Sequence, residues 1–194
     1  MYKNNEEFDV PLTEDLMREH GILNRVLLIY QAVVDKIKHH QDYPVETLQK
    51  SVEIIRLFIE GHHERMEEDY IFPLFEKHKK ELHLIATLKE QHIKGREITA
   101  NIEVLVQSDG NLDHAIQLKI KHLLEEFIEM YRPHEAREDT EIFPLVRSFL
   151  TENEFEELSE KFEQFEHQLL GEHGLEDIMK KIRSIEKDLN ILFK

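Results

Sequence analysis

The sequence predicts an all-α fold, an up-down-up-down bundle of four long helices with a further helical segment at the C-terminus. Glycine and proline are scarce, six and five copies in 194 residues, and they punctuate the chain instead of supplying the many turns that short strands need. Apolar residues recur at threes and fours over stretches far longer than a strand. One stretch is also written twice: HHERMEEDYIFPL at residues 62–74 returns as PHEAREDTEIFPL at residues 133–145.

The first helix is expected from Leu12 to His40, with Leu16, Leu23, Leu27, Tyr30, Val34 and Ile37 on one face. The second runs from Val45 to Lys79, with Leu48, Val52, Ile55, Ile59 and Met66 inward, the third from Leu82 to Gln107, and the fourth from Leu112 to Leu150. Turn-forming residues separate them: Asp42 to Pro44, His78 to Glu81, and Ser108 to Asn111. Pro73 and Pro144 each remove an amide donor, so each is expected to end or kink its helix. Thr151 and Glu154 have the spacing of a capping box, which starts a fresh helix at that point. Residues 1–150 are thus read as the bundle and 151–194 as an extension packed on it within a single domain.

With 40% apolar residues the chain can bury a substantial core. It has no cysteine, which excludes a disulfide scaffold, thiolate zinc sites, iron–sulfur clusters and c-type haem attachment. Any metal must be held by nitrogen and oxygen. A formal charge of −16, from 25 Lys+Arg against 41 Asp+Glu, repels phosphate backbones and anionic lipid, so neither nucleic acid nor membrane is an expected partner. No apolar run is long enough to cross a bilayer and the N-terminus lacks a secretory layout, so a cytoplasmic protein is expected.

The 13 histidines need individual reasons. Between residues 63–74 and 134–145 seven of twelve positions are identical, including a His-x-x-x-Glu pair in each copy: His63 with Glu67, and His134 with Glu138. Four residues correspond to roughly 400° of helical rotation and ~6 Å of rise, so each pair shares a face. Upstream, Leu16 to His20 resembles Leu88 to His92, so the repeating unit is a helical hairpin contributing one further histidine. His20 lies roughly 30 Å before the first turn and His63 roughly 27 Å after it, so antiparallel packing sets them level. The second hairpin fits less well, which suggests an irregular start to the fourth helix.

Single helical histidines are usually surface or satisfied core residues, and a lone His-x-x-x-Glu is usually a solvated couple. Two copies in register, each with a partner histidine, point instead to a metal site. Four imidazoles and two carboxylates in a bundle interior are costly unless bound to metal, and the set suits a pair of cations such as iron. Glu64 and Glu135 point about 100° away from their neighbouring histidines, and either complete the metal shell, support it from behind or face solvent. His39 and His40 are expected at the surface and Tyr30 in the core; His62, His78, His83, His114 and His122 are read as structural. Gly171 and Gly174 break the extension, as a surface turn before a packing helix or as the hinge of a lid, and a fifth metal histidine would be His167 or His173. A zinc peptidase would need His-Glu-x-x-His, and ferritin-like di-iron bundles use Glu-x-x-His; neither spacing is present in the two copies.

The order His20, His63-x-x-x-Glu67, His92, His134-x-x-x-Glu138, with Ile-Phe-Pro after each pair, resembles the hemerythrin-like, HHE cation-binding family over roughly residues 12–150. That resemblance implies a four-helix bundle around two non-haem iron ions bridged by Glu67 and Glu138, with room for an oxo bridge. Arg96 stands where oxygen carriers have a further histidine, and the fourth-helix spacing differs from theirs. The pattern is closer to bacterial relatives associated with peroxide or nitric oxide chemistry and iron–sulfur repair. The implied ligand is peroxide, nitric oxide or dioxygen, in oxidative or nitrosative stress, with a sensor, carrier or iron donor as the alternative.

Overall fold

The computed structural model describes residues 12–107, 112–171 and 173–191. Six helical rods account for almost all of them, with no strand among the described residues. Helix α1 spans Leu12–Lys38 and α2 residues 45–78. Helix α3 spans Leu82–Val106 and α4 residues 114–149. The extension forms α5, Glu152–Leu170, and α6, Gly174–Leu189.

Sequence and structure agree closely on the first three rods, because the apolar faces named for α1 and α2 are all buried. His40 and Lys79 close α1 and α2 in the left-handed conformation, at φ 51° and 54°. The expected Ser108–Asn111 turn lies outside the described residues. Leu112 and Asp113 are not helical, and α4 starts at His114, where the Asp113 carboxylate accepts from the Ile116 amide. At the C-terminal break, Gly171 sits at φ 78°, a left-handed value that a Cβ would disfavour. Helix α6 then lies along α1 and α2 as a packing helix, with Ile178, Ile182, Ile185 and Leu189 buried. The capping box forms as the sequence predicts: Thr151 Oγ1 accepts from the Glu154 amide, and Glu154 Oε2 accepts from the Thr151 amide at 2.8 Å.

Of the two expected outcomes, ending is not the one seen, since neither Pro73 nor Pro144 ends its helix. Each follows a π-helical turn, Glu67–Ile71 in α2 and Glu138–Ile142 in α4. A proline ring clashes with the carbonyl four residues back, and the wider turn moves that carbonyl aside so that the rod continues. Both copies of Ile-Phe-Pro-Leu therefore mark a local widening, and it begins at the glutamate of each His-x-x-x-Glu pair.

Neighbouring rods run antiparallel. His20 of α1 meets His63 of α2, and the ring of His40 at the end of α1 lies 5.8 Å from that of His114 at the start of α4. The buried apolar residues form two separate clusters. One, around Leu23, Tyr30, Phe58 and Phe127, is completed by α6; the other, around Leu16, Phe72, Phe75 and Phe143, is completed by Phe155, Leu158 and Phe162 of α5. Between them lies a polar layer containing the duplicated histidines and glutamates.

Candidate metal centre

All six residues singled out by the repeat meet in this layer, and none is more than 2% exposed. They form two sets of four: His20 and His63 with Glu67 and Glu138, and His92 and His134 with the same two glutamates. Within each set the ligand atoms lie within 4.8 Å of one another. Each hairpin therefore supplies one pair of imidazoles, and both sets share both carboxylates. Nε2 of His20 is 3.3 Å from Glu138 Oε2, and Nε2 of His63 is 3.6 Å from Glu67 Oε1. On the other side, Nε2 of His92 is 3.5 Å from Glu67 Oε2, and Nε2 of His134 is 3.2 Å from Glu138 Oε1.

The outer ring nitrogens explain why every Nε2 faces inward. His20 Nδ1 donates to Asp139 Oδ1 at 2.8 Å and His63 Nδ1 to Glu19 Oε2 at 2.7 Å. His92 Nδ1 donates to Glu68 Oε1 and His134 Nδ1 to Gln91 Oε1, both at 2.9 Å. Carboxylate and amide oxygens only accept, so each Nδ1 carries a hydrogen, and Nε2 is the nitrogen left for a metal whenever the imidazole is neutral.

The residues fit a cation on a further count. All four carboxylate oxygens of Glu67 and Glu138, together with His20 Nε2, are buried without a hydrogen-bond partner, a costly arrangement for polar atoms unless an ion satisfies them. His92 Nε2 and His134 Nε2 are 3.1 Å apart, about the separation of two nitrogens each ~2.1 Å from one ion at a right angle. Without a cation the charges are strained. Burial, then the Glu138 carboxylate, pushes the Glu67 carboxyl well above its usual range. Burial pushes Glu138 the same way, but His134 and His20 outweigh it and hold that carboxyl well below. Burial drives His92 down to about 4, whereas at His20 it is overcome by Asp139 and Glu138, which raise the imidazole to about 10.

Glu64 and Glu135 belong to neither set of four, and neither is solvated; Glu64 forms a separate donor group with Glu68 and His92. Glu64 is buried, receives the Tyr131 hydroxyl at 2.5 Å and Arg96 Nη1 at 2.7 Å, and is raised by burial to about 8. Glu135 pairs with Asn24. Arg96 also reaches Glu68 Oε1 at 2.9 Å, so it steadies the carboxylate that orients His92. His167 and His173, the candidates had a fifth histidine been present, are exposed and belong to neither set of four. His39, His40, His78, His83, His114 and His122 are exposed as well, and Tyr30 is core. His62, read as structural, is buried and donates from Nε2 to Glu19 Oε1 at 2.9 Å.

The residues missed by sequence reading are the four orienting groups, Glu19, Gln91, Glu68 and Asp139. Their signal was duplicated too: Glu19 and Gln91 immediately precede the first-helix histidines, and Glu68 and Asp139 immediately follow the shared glutamates.

A helical bundle with two sets of nitrogen and oxygen donors joined by shared carboxylates is an arrangement that could hold metal ions. A family model, the hemerythrin HHE cation binding domain, matches residues 12–146, and the chain belongs to that family. It is also 38% identical over 187 residues to two mycobacterial proteins, Uncharacterized protein Rv1995 of Mycobacterium tuberculosis (strain H37Rv) and Uncharacterized protein Mb2018 of Mycobacterium bovis, covering 95% of this chain and 73% of each relative. No solved structure matches the chain. No helix among the described residues is long and apolar enough to cross a membrane.

Proposed function

We propose that the protein is a non-haem di-iron protein that takes a small molecule, peroxide, nitric oxide or dioxygen, at its metal pair, in oxidative or nitrosative stress handling. The observation that carries this reading is the sharing of Glu67 and Glu138 by both histidine pairs. Each of two ions would be held by two imidazoles together with Glu67 and Glu138, fewer donors than the six that iron accepts. Bound iron supplies reversible redox change and positions for a small ligand.

The chain's own residues have distinct tasks. Glu67 and Glu138 would hold the two ions close, and Glu19, Asp139, Glu68 and Gln91 fix the imidazole rings. Phe143 stacks on His20 at 5.4 Å and Phe72 on His92 at 5.5 Å, so apolar rings cover the centre on the α5 side and keep bulk water away. Glu135, raised to about 8 by burial, is a carboxyl that keeps its proton at neutral pH close to His20. Arg96, at the position of the carriers' further histidine, is engaged by Glu64 and Glu68.

The deciding experiment loads the protein with iron and measures peroxide disproportionation and nitric oxide consumption against the same concentration of free iron. Turnover well above free iron supports the proposal. A stable dioxygen adduct without turnover would assign a carrier or sensor, and failure to retain iron would end the di-iron reading.

A further inference from the structure

Outside the metal pair, the extension brings one more mixed donor set together. Glu166 of α5 meets Glu19 of α1 and His62 of α2, with ligand atoms within 4.8 Å of one another. His62 is 1% exposed, its ring stacked between Phe58 at 5.8 Å and Phe165 at 5.7 Å. Its Nε2 faces Glu19 Oε1, while Nδ1 is buried with no hydrogen-bond partner. A buried imidazole nitrogen without a partner is uncommon and asks for a reason.

Sequence and charge point the same way. Position 62 is where the two copies of the repeat part, because the second has Pro133 there. Glu166 lies beyond residue 146, where the family match ends. The set therefore lies where the bundle and the extension join. Asp15 and Glu19 add negative charge around Glu166, against which Arg18 is a nearby cation.

We propose that Glu19, His62 and Glu166 form a third cation site, for a divalent transition metal. One imidazole and two carboxylates are donors such an ion accepts, and the carboxylates balance its charge. Glu166 is half-buried, so an ion reaches the site from solvent. The other Glu19 oxygen holds His63 Nδ1, so an ion here shares a carboxylate with the support of the metal pair.

The test counts zinc per chain in the full-length protein after saturation and dialysis, by elemental mass spectrometry. Glu166→Gln and His62→Gln are expected to hold one ion fewer per chain than the unsubstituted protein. Glu163→Gln, which removes an exposed carboxylate on the same helix, is expected to hold the same number. Equal counts in Glu166→Gln and the unsubstituted chain would overturn the proposal, as would an equal loss in Glu163→Gln, which would mean unspecific binding by an acidic surface. Only the difference is read, so the result stands apart from how many ions the central pair holds, and Glu166 is exposed enough that its variant folds.

Discussion

Gly95 and Tyr131 meet so closely that a Cβ built on Gly95 would overlap the Tyr131 hydroxyl. The missing side chain lets Tyr131 cross to α2, where its hydroxyl donates to Glu64, itself paired with Arg96. The linkage runs beside the metal layer, since the Tyr131 ring lies 5.4 Å from that of His134. Gly95→Ala should therefore destabilise the protein by about 1–3 kcal/mol through overpacking, although alanine alone would favour the helix by ~1 kcal/mol. Thermal unfolding of Gly95→Ala, Tyr131→Phe and the double variant checks this. The combined cost should fall short of the sum, because both changes disturb one contact; strict additivity would show that the two residues do not interact.

The orienting groups make a second prediction. Asp139→Ala and Glu68→Ala remove no ligand, yet each frees an imidazole to turn and to change tautomer. Each should weaken metal affinity by about 10–100-fold, measured by zinc competition against a chromophoric chelator. Glu76→Ala, which removes an exposed partner of Lys89, should leave affinity unchanged. Equal affinity in all three would mean that packing alone sets the rings.

How much of this was written in the sequence depends on the kind of feature. Helices α1 and α2 and all six central residues were legible because periodicity and duplication are one-dimensional signals. The orienting residues were duplicated as well, but their partners lie across the bundle: Asp139 of α4 serves His20 of α1, and Glu68 of α2 serves His92 of α3. Spacing along one helix does not reveal such a crossing. The same holds for Glu64, which the 100° rule places off the metal axis but which only packing brings to Tyr131 and Arg96. The π-helical turns were illegible for another reason, since a proline predicts trouble for a regular helix and does not say whether the chain stops or widens.

A third prediction concerns protons. Burial lowers and Asp139 raises the imidazole of His20, with the net result at about 10, above its ordinary 6.5. In the metal-free protein His20 is thus charged at neutral pH; its stabilisation is complete below about pH 6.5 and is lost as pH rises through about 10. Burial and the Glu138 carboxylate raise Glu67 as well, so its proton is held more tightly than an ordinary carboxyl's. A metal ion needs both groups deprotonated, so binding near pH 7 should release protons, that of His20 among them, and tighten as pH rises. Calorimetric titration of zinc in buffers of different ionisation enthalpy measures the number directly. Binding without proton release would contradict the charge states described here.

The last prediction concerns the seam between bundle and extension. Arg25 of α1 reaches Glu186 of α6 with two bonds, Nε to Oε1 at 2.8 Å and Nη2 to Oε2 at 2.6 Å. Glu186 is 3% exposed, and that guanidinium is the cation it is paired with. Removing the arginine strands a buried carboxylate, a loss of the order of 3–5 kcal/mol, and the cheapest relief is for α6 to leave the bundle. Arg25→Ala should therefore accelerate hydrogen exchange in α6 while the amides of α1 to α4 around the metal layer stay protected. Replacing both partners by apolar residues, Arg25→Met with Glu186→Leu, should restore much of the protection, because no charge is then left unpaired. If the double variant frays as badly as Arg25→Ala, it is the specific geometry of the pair, and not the stranded charge, that holds the extension on the bundle.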